Sequence, residues 1–142
     1  MAIRRFPRPS RNAGPRRRRQ AAAVVELAIC LPIMLTLVLG AIESCNMIYL
    51  QQSLHVGAYE AARTAIQPVS TNADAILAAE TVLQSQGVSG ATVQCKPADV
   101  STLKQGKQIT ITITASGDQN SISPKFFFGG RKFKAVCVMV KE

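Results

Sequence analysis

Apolar residues are laid along this chain in three patterns, and each predicts a different kind of element. Residues 21–42, AAAVVELAICLPIMLTLVLGAI, are apolar on every side and carry one charge, Glu26. A run of about twenty such residues is what a helix needs to cross the hydrocarbon core of a bilayer. Past Ile42 the pattern changes without a break. Met47, Leu50, Leu54, Ala58, Ala61 and Ala65 recur at spacings of three and four, one apolar stripe along a helix, while Gln51, Gln52, Glu60 and Arg63 fall off it. Pro68 disfavours helical geometry in the residue before it, so the helix should end near Gln67. Together these patterns predict one helix of roughly 70 Å over residues 21–66, transmembrane then amphipathic, with Pro32 as a place where it can bend.

A second helix is signalled by Thr71 and Asn72 as caps, the run ADAILAAETVLQSQ and a stop at Gly87. Ile76, Ala79, Val82 and Leu83 form its expected buried side, with Asp74 and Glu80 turned to solvent. Beyond it the period falls to two. Residues 90–95 read as a short strand, and residues 108–115 alternate Ile109, Ile111 and Ile113 with threonines. Residues 134–140 read as a final strand with Val136, Val138 and Val140 on one face. Two helices followed by three strands predict an α+β fold, a small three-stranded antiparallel sheet with the long helix packed on one side.

Charge sharpens the division. Eight arginines and no acid lie in the first 20 residues, whereas the rest holds nine Lys/Arg against eight Asp/Glu. The formal net charge of +9 therefore belongs almost wholly to a Pro- and Gly-interrupted leader, not to the folded part. Ahead of a membrane-length helix, such a leader places the N-terminus in the cytoplasm and the C-terminal portion on the far side. The same arm could instead contact nucleic acid or anionic lipid. An ordinary secretory signal would end in an A-x-A-like site, for which only Leu39-Gly40-Ala41 stands in place, a poor fit. Glu26 is the residue these readings least explain, because an ionisable group in a span costs a few kcal/mol and marks function by default.

The stretch RRRRQAAAVVELAICLPIMLTLVLGAIE, with its Leu31-Pro32 step and the later run Gly57-Ala58-Tyr59-Glu60-Ala61-Ala62-Arg63-Thr64-Ala65, resembles the TadE-like pseudopilins of tight-adherence (Flp-type) pilus systems. The resemblance covers about residues 16–66. It implies a minor pilin or pseudopilin with a pilin-like fold, a component of a type IV pilus or of its assembly platform, with roles in adhesion and secretion. A prepilin peptidase would cut between Ala21 and Ala22, and Glu26 would neutralise the new amine on its own or a neighbouring subunit. The chain would then comprise a cleaved leader (1–21), a transmembrane half-helix (22–42) and an exported domain (43–142) held in the bacterial inner membrane. Ala21 stands where the family usually has glycine, and Leu27 where an aromatic is common. The expected partners are the membrane, the peptidase and other pilin or platform subunits, not nucleic acid. The alternative is a membrane-tethered extracytoplasmic binding module that keeps its N-terminus.

The remaining chemistry is sparse. Cys30 and Cys45 lie fifteen residues apart on one helix, about 22 Å along its axis, too far for a bridge. Cys95 and Cys137 both fall on expected strands, either bonded in an oxidising compartment or two buried thiols. The single histidine, His55, reads as structural, no zinc or phosphate-loop spacing occurs, and neither a catalytic set nor a cofactor is expected. Phe126, Phe127 and Phe128 beside Arg131 and Lys132 either tuck into the core or form a partner-binding loop.

Overall fold

The computed structural model describes residues 15–121 and 129–141. The fold is α+β, with helices α1 (Pro15–Ala65) and α2 (Asn72–Ser85), strands β1 (Thr92–Lys96) and β2 (Gln108–Ser116), a short helix α3 (Gly117–Asn120) and strand β3 (Lys132–Val140). The chain divides into two units, Met1–Val38 and Leu39–Glu142.

The first unit is the N-terminal part of α1. Its apolar side chains lie open along the helix, Val24 at 66 % and Leu37 at 69 % exposure. Bare apolar surface on this scale is costly in water at about 25 cal/mol per Å². This helix is long and apolar enough to cross a membrane. Pro32 lies inside it without ending it, and the hydroxyl of Thr36 donates to the Pro32 carbonyl at 2.8 Å.

The second unit is a two-layer domain. The later turns of α1 bury Leu50, Leu54, Ala58, Ala61, Ala62 and Ala65, following the stripe read from the sequence. Gly57 permits the closest approach. A Cβ there would stand 3.1 Å from Leu83 of α2 and 3.4 Å from Ile113 of β2, so a side chain would push the layers apart. Helix α1 stops at Ala65, two residues short of the expected end.

Helix α2 starts at Thr71, whose hydroxyl and backbone are tied to Asp74 in a capping box. It ends through Gly87, whose φ of 72° the left-handed termination requires. Its fully buried side is Ala75, Ala79 and Leu83, while Ile76 and Val82, expected inside, are only half-buried.

The sheet has order β1-β2-β3, both pairings antiparallel. Ile109, Ile111 and Ile113 of β2 are fully buried against the helices. Across β2 the register sets Met139, Cys137 and Ala135 opposite these three. The odd residues of β3 therefore face the core and the even ones face outward. Val136, Val138 and Val140, read from the sequence as sharing one face, do so on the outer one, where they stand 43 %, 52 % and 49 % exposed. Both phases of this strand are apolar, and the choice fell to the one that covers Phe133 and Met139.

Candidate functional site

Ala21, Ala22 and Glu26, the expected processing and charge-pairing residues, all lie on α1 with exposed side chains. Ala22 and Glu26 are four residues apart, so they share a face with Cβ atoms about 5–6 Å from each other. The helix that carries them begins poorly. Its first turn contains no acid and its sequence there is Pro15 followed by arginines. Cations at that end oppose the positive pole of the helix dipole, and the first acid of α1, Glu26, stands about three turns further on, beyond the reach of that pole.

In the second unit the cysteine expectation is corrected. Cys95 and Cys137 are free thiols. Cys95 pairs with Ile111 on one side of the central strand and Cys137 pairs with Ile111 on the other. Two strand spacings of about 4.8 Å separate them, beyond the Cα separation a disulfide spans. Burial raises the pKa of both thiols above the ordinary value. Cys30 and Cys45 are exposed on α1.

Phe126, Phe127 and Phe128 of the expected partner-binding loop lie outside the described residues, while Arg131 and Lys132 are exposed at the start of β3. Beside that strand the amide nitrogen of Gln51 donates to the Lys134 carbonyl at 3.1 Å and sits 3.1 Å from the ring of His55. The histidine is exposed. A hollow of about 280 Å³ between α1, α2 and α3 is walled by Asn46, Tyr49, Gln86, Gln119 and Asn120. Among the described residues its walls carry amides, a hydroxyl and a phenol but no charged group. Among the described residues, no three His, Cys, Asp or Glu side chains gather as metal ligands would.

Several polar residues position the domain through distant contacts that the sequence reading did not anticipate. Asn72 donates to the Ala98 carbonyl at 2.7 Å and accepts from the Val100 N–H at 2.8 Å, tying the loop after β1 to α2. Lys141, only 5 % exposed, donates to the Val100 carbonyl at 2.7 Å. Glu43 is buried at 1 % exposure on α1. The first two have partners 26 to 41 residues away, and no local pattern announces such pairs.

The site is thus a helix with a cationic start, two small residues, an acid one turn on and an uncovered apolar run. Residues 21–63 match the model of the TadE-like protein family. Over this segment the chain is similar to that family. The match opens at Ala21 and closes at Arg63, taking in Glu26, the Leu31-Pro32 step and the Glu60-Ala61-Ala62-Arg63 run on which the resemblance was based. No curated protein and no solved structure matches the chain.

Proposed function

We propose that this protein is a minor pilin or pseudopilin of a tight-adherence type IV pilus, matured by a prepilin peptidase that cuts between Ala21 and Ala22. The observation that carries this reading is the TadE-like segment itself, which starts at the expected cleavage point and runs along α1 from its exposed apolar turns into its buried ones. The eight leader arginines orient the span with the N-terminus in the cytoplasm and the second unit outside the inner membrane. The Ala21–Ala22 bond lies within the second turn of α1, so a peptidase has to unwind the helix start to reach it. An acid-free first turn rich in arginine lowers the cost of that unwinding. After the cut, the amine of Ala22 becomes the new positive end, with Glu26 one turn away as its counter-charge.

In this reading the apolar turns anchor the subunit in lipid, then pack against other subunits in the pilus or its platform. N-terminal sequencing of the protein from native membrane or pilus fractions tests it. The expected chain begins at Ala22. A chain that keeps its arginines overturns processing and leaves a membrane-tethered binding module. A chain beginning just after Ala41 makes it an ordinary secreted domain.

A further inference from the structure

The second unit has two outer surfaces of opposite character. One is the sheet face turned away from the helices. Register puts Lys96 of β1 with Lys132, Lys134, Val136, Val138 and Val140 of β3 on this face, flanking the threonines of β2. All six of these side chains are exposed, and no acid lies on the strand positions of this face. The other surface is the back of the helical layer. Between α1 and α2 runs a shallow groove of about 340 Å³ walled by Glu60, Asp74, Leu77, Thr81 and Val82. Leu77 is 64 % exposed there, between the carboxylates of Glu60 and Asp74. Arg63 meets Glu60 at 3.8 Å from outside the groove, a solvent-screened pair that leaves the groove acidic.

We propose that the outer sheet face of one copy docks on the α1–α2 groove of a second copy, head to tail. The lysines would lay their apolar stems over Leu77 and bring their ammonium groups to Glu60 and Asp74. Val136, Val138 and Val140 would cover the rest of the groove. Charge selects this pairing over its symmetric rivals. Sheet against sheet opposes lysines to lysines, and groove against groove opposes acids to acids. A contact between unlike faces does not close on itself, so it continues from copy to copy as an open stack. If neighbours are related by translation, every anchor helix points the same way, as subunits drawn from one membrane require.

The face is small, about 14 Å by 30 Å across three strands of up to nine residues, or roughly 400 Å² per partner. That is the size of a weak contact, effective where an anchor concentrates and co-orients the subunits. The docking surfaces lie wholly in the second unit, so the proposal does not depend on leader removal.

The test uses the full-length chain in its native membrane, with a photoreactive residue replacing the exposed Gln94 at the rim of the sheet face. Irradiation is expected to give a ladder of oligomers, with cross-links mapping to α2. The pair Lys132→Glu and Lys134→Glu, and separately the groove pair Glu60→Lys and Thr81→Lys, should each lower the cross-linked yield about tenfold or more. Co-expression of the two variant chains should restore the ladder, because each then supplies the face the other has inverted. Unchanged protease resistance of the second unit serves as the folding control. Absence of a ladder in the parent chain, a ladder indifferent to either variant pair, or no rescue on co-expression would each overturn the proposal. Sequencing the N-terminus of the same samples separates the two readings, since a retained leader beside an intact, rescued ladder sinks the pilin reading alone.

Discussion

Asp74 accepts from the Thr71 N–H at 2.9 Å and from its hydroxyl at 2.8 Å, closing the first turn of α2. The backbone bond, then the hydroxyl bond, holds its carboxyl below the ordinary value of 3.8, against a smaller opposing effect of burial. A carboxylate with a depressed folded pKa contributes stability that is complete above its unfolded pKa and is lost as pH falls through the folded one. Asp74→Asn removes that contribution. Melting curves of the full chain between about pH 5 and pH 2 should then show a shallower acid-side loss of Tm than the parent. Identical slopes would mean that the capping box does not stabilise the charged form. Asp99, held down by Ser101, supplies the same sign and remains in both proteins. At this scale Thr71 was legible as a cap because capping is a local event, three residues long. Asn72 was read as a cap as well, but it instead fastens the loop at Ala98 and Val100. The Cys95–Cys137 bridge failed for the complementary reason, since both residues are on strands but Ile111 lies between them.

The elements themselves were legible where hydrophobic period and punctuation agreed. Helix α2 and strand β2 stand within a residue or two of their expected bounds, and the alternation of isoleucine and threonine fixed the buried face of β2. Strand β3 was not legible in its facing. Phe133, Ala135, Cys137 and Met139 compete with Val136, Val138 and Val140, and a one-residue change of phase exchanges the two sets. Only pairing with β2 decides between them. The assignment makes a direct prediction for paired substitutions. Ile111→Ala empties a fully buried position and should cost about 2–5 kcal/mol. Val138→Ala, at a position 52 % exposed, should cost about 1 kcal/mol or less. Chaotrope midpoints for protease attack on the second unit would measure both. Equal losses would place the valines in a core and reverse the strand. Helix α3 was missed outright, because four residues are too few to carry a period.

At the scale of the whole molecule, the partition into basic leader, apolar run and mixed domain was readable from charge and hydropathy, since those signals add up over many residues. What could not be read was which surfaces the fold leaves open, because that depends on strand phase and on contacts between distant segments. The open surfaces are what give Glu26 its consequence. In an apolar helix that no described residue covers, an ionised carboxylate is tolerated where a cation neutralises it, and the amine of Ala22 would lie one turn away if the leader is removed as proposed. Glu26→Gln keeps the shape and hydrogen-bonding capacity of the side chain but removes the charge. The variant should still insert in the membrane, lose its leader and fold its second unit, because none of these needs the counter-charge. Its recovery in sheared pilus fractions relative to membranes should fall by about tenfold or more, equivalent to a loss of roughly 1.4 kcal/mol in subunit transfer. If the helix served only as a tether, Glu26→Gln would leave that distribution unchanged. Asp at the same position separates charge from reach: it restores the charge on a shorter stem, so partial recovery would show that the carboxylate must meet a fixed amine rather than simply be ionised.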